Sequence, residues 1–128
     1  MRLLLDTHIA LWAITDSPRL PAQARELIFA PENEIYVSAA SVWEIAIKHS
    51  LGRHTIPISG KQARRHFADA GYLPLPITDQ HAAAVETLPP IHADPFDRML
   101  VAQALTEPLK LVTHDATVAG YSDGILLI

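Results

Sequence analysis

The amino-acid sequence predicts an α/β fold of three layers, in which a mostly parallel central sheet is flanked by helices. Short apolar runs, typical of buried strands, alternate along the chain with longer segments of helical periodicity. The chain has no internal repeat, no low-complexity segment and no linker-like stretch. Because its 128 residues are 49% apolar, we expect a single domain over residues 1–128 with a substantial core.

The first part of the chain predicts two strands and two helices. The segment RLLLD, residues 2–6, is short, apolar and bounded by an acid, which predicts a buried strand. A helix is expected over His8–Ile14. A second helix, Ala22–Phe29, begins after Pro21 because proline suits a helix start. The run Ile35–Val37 is the second predicted strand.

The middle of the chain predicts two helices and a weaker strand. Either Ser38 or Ser41 caps a helix that Gly52 ends. Another helix is expected over Lys61–Ala70. The segment Tyr72–Ile77 is extended but interrupted by prolines, so it predicts a short strand or an edge strand.

The last part of the chain predicts two longer helices, a short helix and two strands. A helix capped by Asp79 is expected to run to about residue 88. The aspartate–proline pair at 94–95 is a strong helix start. The segment Leu109–Thr113 is apolar and predicts a strand, a short helix follows it, and Ile125–Leu127 predicts the last strand.

Composition excludes several classes of protein. There is no cysteine, so disulfides, thiolate zinc sites and a cysteine nucleophile are excluded, and a cytoplasmic location is expected. No apolar run reaches the roughly 18–20 residues that a membrane-spanning helix needs. The formal net charge of −4 does not by itself indicate a nucleic-acid-binding protein.

Four acids stand near strand ends or helix starts, which share one edge of a parallel sheet. They are Asp6, Glu44, Asp97 and Asp115. Each has a structural explanation when taken singly, since acids cap helices or favour their first turns. For example, the spacing of Ser41 and Glu44 fits a capping box. Together the four acids predict a site, because Asp6 and Asp115 adjoin the most apolar strands.

Converging carboxylates repel one another and must take up protons or a cation. Oxygen ligands favour Mg²⁺ or Mn²⁺ over zinc or copper. A metal ion held by carboxylates activates water and neutralises the charge that develops on a phosphodiester. The four acids therefore predict hydrolysis of phosphodiester bonds.

A basic stretch separates the first two acids from the last two. Residues 45–68 contain no acid and hold half of all lysines and arginines: Lys48, Arg53, Lys61, Arg64 and Arg65. This stretch is either a solvated helical face or a surface that binds the backbone of a polyanionic substrate away from the acidic pocket. Without the four candidate site acids, the remaining ten acids balance the ten bases, which is compatible with a nucleic-acid substrate.

Two other classes of α/β protein do not fit the first strand. A dinucleotide-binding protein would have a glycine-rich turn where this chain has DTHIALW. A haloacid-dehalogenase-type phosphatase would need a second acid two residues after Asp6, where this chain has His8.

The chain resembles the PIN-domain ribonucleases, specifically the VapC-type toxins of prokaryotic toxin–antitoxin pairs. The resemblance rests on LLLDTHIALWAI, VSAASVWEIAIK, HADPFDRMLVAQA and LVTHD, which occur in the family's order and cover nearly the whole chain. It implies a metal-dependent endoribonuclease. The alternative is a PIN-like module that binds RNA or protein without catalysis.

The resemblance also assigns roles to individual residues. It implies that Asp6, Glu44, Asp97 and Asp115 bind one or two Mg²⁺ or Mn²⁺ ions and activate the attacking water. Thr7 and Thr113 match polar positions beside the site, where they either orient a carboxylate or water or cap a helix. Asp94 is expected to be a helix N-cap first and a supporting group behind the metal ligands second, because the family's metal ligand aligns better with Asp97.

Other polar residues near these motifs are expected to have lesser roles. His8 and His114 flank two of the acids, but the family uses neither consistently, so no catalytic histidine is expected. His92 is expected to be a loop residue that supports a helix start, and Arg98 to form a surface ion pair.

The resemblance implies two protein partners, a cognate antitoxin and a second copy in a homodimer. The antitoxin of such a pair lies across the toxin and often places an arginine near the acids. The apolar residues Leu11, Trp12 and Trp43 either line such a groove or belong to the core, and a core position is the expectation for the tryptophans.

Overall fold

A computed structural model describes all residues, Met1–Ile128, and contains five strands. The strands are β1 (Arg2–Leu5), β2 (Glu34–Ser38), β3 (Leu73–Leu75), β4 (Lys110–Thr113) and β5 (Leu126–Leu127). All neighbouring strands are parallel, and their order across the sheet is β3-β2-β1-β4-β5. The predicted α/β class is therefore confirmed, and the proline-containing β3 lies at an edge as expected.

Seven α-helices connect the strands. They are α1 (Thr7–Ile14), α2 (Ala22–Phe29), α3 (Ala39–Ser50), α4 (Gly60–Asp69), α5 (Asp79–Ala84), α6 (Pro95–Thr106) and α7 (Ala116–Ala119), with a 3₁₀ helix at Val85–Thr87. None of these helices combines the length and the apolar character that crossing a membrane requires.

The central strand β1 buries side chains on both faces of the sheet. Leu3 and Leu5 point into one core, which helices α1 to α4 cover, and Leu4 points into a second core beneath α6. All three leucines are fully buried. Because successive residues of a strand face opposite sides, an uninterrupted apolar run is what a strand between two helical layers requires.

The structure decides between the two predicted caps of α3 and corrects the predicted cap of α5. Ser38, rather than Ser41, caps α3 by accepting a hydrogen bond from the Ala40 backbone N–H at 2.9 Å. The predicted capping box of Ser41 and Glu44 is therefore wrong. Thr78 rather than Asp79 caps α5, since its hydroxyl accepts the His81 backbone N–H at 3.2 Å.

A buried glutamine fixes helix α6 against the sheet. Gln103 is fully buried, and its Oε1 accepts a hydrogen bond of 2.6 Å from the Ser38 hydroxyl at the end of β2. Its Nε2 donates to the Pro76 carbonyl at 3.3 Å. Because a buried polar group that loses its partner is costly, these bonds define where α6 lies and hence where its first turn points.

Helix α4 begins with a glycine because it approaches α3 closely. A Cβ added at Gly60 would lie 2.7 Å from the Cβ of Ala46, closer than two carbon atoms can approach.

We expect Gly60→Ala to lower the free energy of unfolding by about 1–3 kcal/mol through overpacking, despite the better helix propensity of alanine. Urea unfolding measures the effect. Gly124→Ala is the control, since its Cβ would meet only the Ser122 hydroxyl at 3.5 Å; equal stability of the two variants would contradict the close approach.

Candidate active site

Strands β1 and β4 form the point where the strand order of the sheet reverses. From β1 the chain adds β2 and β3 on one side, and β4 and β5 lie on the other. In open α/β sheets, ligands bind in the crevice outside the carboxyl ends of the strands at such a point. Asp6 directly follows β1, and Asp115 follows β4 by two residues. Both acids therefore lie at the edge of the sheet where the topology favours a ligand-binding site.

Asp6 is a buried carboxylate with both oxygens held. It is 8% exposed; its Oδ1 accepts the Thr7 backbone N–H at 2.6 Å and its Oδ2 accepts the Thr113 hydroxyl at 2.6 Å. Its own N–H donates to the Val112 carbonyl at 2.9 Å, which continues the ladder between β1 and β4. Burial raises the pKa of Asp6, and the two hydrogen bonds to its oxygens oppose that rise.

The two threonines predicted beside the site have different contacts. The Thr113 hydroxyl donates to Asp6 and accepts the Asp115 backbone N–H at 3.1 Å, so it connects two of the acids. The Thr7 hydroxyl instead bonds the Ser41 hydroxyl at 2.8 Å, which links α1 to α3. Thr7 contacts Asp6 only through its backbone N–H, as the first residue of a helix that Asp6 caps.

Asp115 caps the short helix α7. Its Oδ1 accepts the Thr117 backbone N–H at 2.8 Å. Partial burial raises the pKa of Asp115, but hydrogen bonds from the Thr117 and Val118 backbones and from His92 more than offset this, so the pKa lies below its usual value. Asp115 therefore ionises more readily than Asp6 or Asp97, whose pKa values are raised.

Glu44 lies in the middle of α3 and is 3% exposed. Its Oε2 accepts a hydrogen bond of 2.5 Å from the Lys48 ammonium one helical turn later. Its Oε1 is buried and has no hydrogen-bond partner. An unpartnered carboxylate oxygen inside a protein is costly, so this atom fits a site that takes up a cation.

Two acids lie at the start of α6, and they differ in their hydrogen bonds and in their electrostatic environment. Asp94 is the N-cap, and its Oδ1 accepts the backbone N–H groups of Phe96 and Asp97 at 2.8 and 3.2 Å. Asp97 has a side chain that is 16% exposed. Burial first, and then the charges of Asp6, Asp94 and Glu44, raise the pKa of Asp97 to about 7, although His92 opposes the rise.

His92 contacts two of the acids, which the sequence analysis did not anticipate. Its Nε2 lies 3.1 Å from Asp97 Oδ2 and 3.4 Å from Asp115 Oδ2. Its Nδ1 accepts the Asp94 backbone N–H at 3.2 Å, so the expected support of the helix start is observed as well. Because Nδ1 is an acceptor there, the neutral imidazole carries its hydrogen on Nε2 and donates it toward the carboxylates. The only sequence feature that indicated this contact is the position of His92, two residues before the Asp94–Pro95 start of α6.

The four candidate acids line one pocket of about 610 Å³. The pocket is also lined by Lys48, Arg19 and Thr55, by the aromatic residues His8, Trp12, His92 and His114, and by Ile9, Asp94 and Ala116. The prediction that the basic stretch lies away from the acids is thus wrong for Lys48. The other four bases of the stretch are exposed and do not line the pocket: Arg53, Lys61, Arg64 and Arg65.

Two further predictions of side-chain environment are wrong. Trp43 is 58% exposed and packs edge-on against Phe96, with ring centroids 5.1 Å apart, so it is not a core residue. Arg98 forms no surface ion pair; it donates to the Pro89 carbonyl and the Tyr121 hydroxyl, each at 3.0 Å. Arg98 therefore secures the loop that carries His92.

The donor set of this pocket fits a divalent cation. One ligand atom each from His92, Asp97 and Asp115 lies within 4.8 Å of the others. The Oε1 of Glu44 is buried without a hydrogen-bond partner, and burial together with the neighbouring acids raises the pKa of Asp97. Oxygen donors dominate, which suits hard cations.

The all-parallel sheet, with acids gathered where its strand order reverses, defines the class of protein. The family model of the PIN domain matches residues 3–122, and the chain belongs to this family. A relative is Ribonuclease VapC22 of Mycobacterium tuberculosis, which is 32% identical over 117 residues, covering 88% of this chain and 85% of the relative.

Solved structures share the fold over nearly the whole chain. The crystal structure of VapBC2 from Rickettsia felis, bound to a DNA fragment from its promoter, has a TM-score of 0.67 at 17% identity and covers 100% of this chain and 98% of the matched one. VapBC-1 from nontypeable Haemophilus influenzae has a TM-score of 0.63 at 17% identity, covering 100% and 97%. FitAcB from Neisseria gonorrhoeae has a TM-score of 0.65 at 19% identity, covering 98% and 96%.

The raised pKa of Asp97 makes the stability of the metal-free protein depend on pH. Between about pH 4 and pH 7, the folded state keeps a proton on Asp97 that the unfolded state releases, so stability falls as pH rises. In EDTA, we expect the free energy of unfolding to fall by up to about 4 kcal/mol across this range from this residue. Urea unfolding at pH 5 and pH 7.5 measures the change.

Asp97→Asn should reduce this pH dependence, while the exposed control Asp123→Asn should retain it. Comparing variants removes the contributions of all other ionisable groups, because the three proteins share them. An unchanged pH slope in Asp97→Asn would contradict the assigned environment of this carboxyl.

Proposed function

We propose that this protein is a metal-dependent endoribonuclease that acts as the toxin of a toxin–antitoxin pair. Membership of the PIN family and the likeness to Ribonuclease VapC22 support the reaction, and the fold of the VapBC and FitAcB structures supports the biological role. The observation that carries the proposal is the shared pocket of Asp6, Glu44, Asp97 and Asp115, with a buried carboxylate oxygen that lacks a partner.

The four acids would hold Mg²⁺ or Mn²⁺. Carboxylate oxygens are the ligands that these cations prefer, and the pocket is open to water. When bound, the metal supplies activation of water and neutralisation of the charge that develops on the phosphodiester. The raised pKa of Asp97 and the unpartnered Glu44 Oε1 are the two features that such a cation would relieve.

The protein contributes positioned groups around this centre. Thr113 holds one oxygen of Asp6, and the first backbone N–H of α1 holds the other, so this carboxylate cannot rotate freely. The His92 Nε2–H bridges Asp97 and Asp115 and orients them relative to each other. Asp94 acts behind these groups by starting α6 and bonding the His92 ring through its backbone.

The bases fit an RNA backbone outside the acidic pocket. Thr55 lines the pocket, and the chain on either side of it carries Arg53 and Lys61, followed by Arg64 and Arg65 on the exposed surface of α4. Apart from the four site acids, the charges of the chain balance, so no net repulsion opposes a polyanion. We assign these four bases to the RNA backbone, and Lys48 to the pocket itself.

We further propose a cognate antitoxin and a homodimer as partners, and the cytoplasm as the location. The solved neighbours are VapBC and FitAcB assemblies, which supports the antitoxin. An exposed apolar surface that includes the Trp43–Phe96 pair is available for protein contact. The absence of cysteine from the chain fits a reducing compartment.

Loss of Asp97 should abolish cleavage without unfolding the protein. We expect Asp97→Asn to lower the rate of Mn²⁺-dependent cleavage of a structured RNA by about a hundredfold or more, because one of the carboxylates that would hold the charge-neutralising metal is removed. Asp6→Asn should act in the same direction. Asp123→Asn, an exposed acid outside the pocket, is the control and should keep full activity.

Binding of the metal itself gives a second measurement. Millimolar Mn²⁺ should raise the melting temperature of the wild type by several degrees, since a cation that binds only the folded state stabilises it. The shift should be smaller in Asp97→Asn. RNA cleavage that persists in EDTA, or at equal rates in wild type and Asp97→Asn, would contradict the proposed mechanism.

His92 is proposed as a positioning residue, and its removal should weaken the metal site. We expect His92→Ala to bind Mn²⁺ about 10–100-fold more weakly in calorimetry, because the bridge between Asp97 and Asp115 is lost. His54→Ala is the control, since His54 is exposed and does not line the pocket. Unchanged Mn²⁺ affinity in His92→Ala would remove His92 from this role.

A further inference from the structure

Part of the pocket wall is aromatic and has no role in holding the acids. Trp12 lies between two histidine rings, with centroids 5.8 Å from His8 and 6.1 Å from His114. The ring planes are inclined by 50° and 69°, so neither histidine stacks flat on the indole. All three residues line the same pocket as the acids.

This aromatic wall is built on the segments that carry two of the acids. His8 and Trp12 are one helical turn apart on α1, which starts directly after Asp6, and His114 immediately precedes Asp115. The His114 Nδ1 lies 2.6 Å from the Ile128 carbonyl oxygen. The indole packs against the core, which positions it next to the acids.

The same pocket contains two cations. Arg19 is exposed at its wall, and the Lys48 side chain is about one-third exposed while its ammonium bonds Glu44. An ammonium has three donors, so Lys48 keeps hydrogens for a further acceptor. The pocket therefore combines an aromatic face, cationic donors and a site for a divalent metal.

We propose that Trp12, with His8 and His114, forms a subsite for the nucleobase next to the scissile phosphate, and that Lys48 and Arg19 contact the adjoining phosphates. This inference rests on the proposed function, since it names how the RNA lies in that site. A nucleotide is the ligand that presents a flat aromatic ring and an anion a short distance apart. Every base has a face that stacks on an aromatic side chain, and an unpaired base is the one that can reach it.

Trp12 contacts both the core and the pocket. The side chain is partly buried against the core that includes the fully buried Leu5 and Ile9, and it also lines the pocket. An apolar ligand such as a peptide side chain would use the indole but not the neighbouring Lys48, Arg19 and metal site. The nucleotide accounts for all of these groups at once.

The test uses the indole itself as the probe. The chain has two tryptophans, so Trp43→Phe leaves Trp12 as the only one and preserves the aromatic contact with Phe96. In Mg²⁺, titration with the four nucleoside 5′-monophosphates should quench Trp12 fluorescence. Ribose 5-phosphate, which has the sugar and phosphate but no base, should leave the fluorescence unchanged.

Cleavage kinetics supply the second part of the test. Trp12→Leu should raise KM for an RNA that the wild type cuts by about five- to a hundredfold and leave kcat largely intact, because loss of one stacked base weakens binding to that extent. Trp12→Phe, which keeps an aromatic face, should recover part of the affinity. Trp43→Leu is the matched control and should keep the wild-type KM; circular dichroism checks that each variant folds.

The results separate this proposal from the proposed function. Base-dependent quenching in a protein that cuts no RNA would support the subsite and oppose the nuclease. Metal-dependent cleavage with equal quenching by ribose 5-phosphate, or with an unchanged KM in Trp12→Leu, would overturn the subsite and leave the nuclease intact. If Trp12→Leu weakened only the binding of an antitoxin, the wall would belong to a protein interface and the proposal would be wrong.

Discussion

The hydrogen bond from the Thr113 hydroxyl to Asp6 is the interaction on which the rest of the site depends. It spans β1 and β4 at the only place in the sheet where the strand order reverses, and it holds a carboxylate that is 8% exposed. The same hydroxyl receives the Asp115 backbone N–H, so one side chain relates two acids from distant parts of the chain. The last three residues of both β1 and β4 are buried, so close packing restricts movement of this contact.

Three interactions reduce the electrostatic repulsion between the acids of the pocket in the absence of a bound cation. Lys48 neutralises Glu44 from one helical turn away, and His92 donates between Asp97 and Asp115. The raised pKa of Asp97 keeps a proton on that carboxyl near neutral pH. Each device is local and reversible, so the folded protein tolerates four clustered acids that would otherwise repel one another by several kcal/mol at an effective dielectric near 20.

The sequence predicted the fold well because apolar runs, helix starts and glycine stops are local signals. It also selected four acids that the fold brings to one pocket, among them Asp6, since an acid directly after a buried strand is unusual. It missed contacts that depend on tertiary distance: the approach of His92 to two acids, the position of Lys48 in the pocket, and the exposure of Trp43. The sequence of a helix does not show whether a given face contacts the core, a pocket or solvent, because that depends on how the helix packs. Competing caps, such as Ser38 against Ser41, are likewise decided by packing.

The order of the strands has a consequence for synthesis of the protein. The central strand β1 comes first from the ribosome, but its partner β4 begins only at Lys110, and the bond between Asp6 and Thr113 closes a loop of 107 residues. A nascent chain that ends before Thr113 has the first acid without its clamp and lacks Asp115 altogether. The candidate pocket therefore forms only after β4 has been made, and a product that ends earlier lacks it.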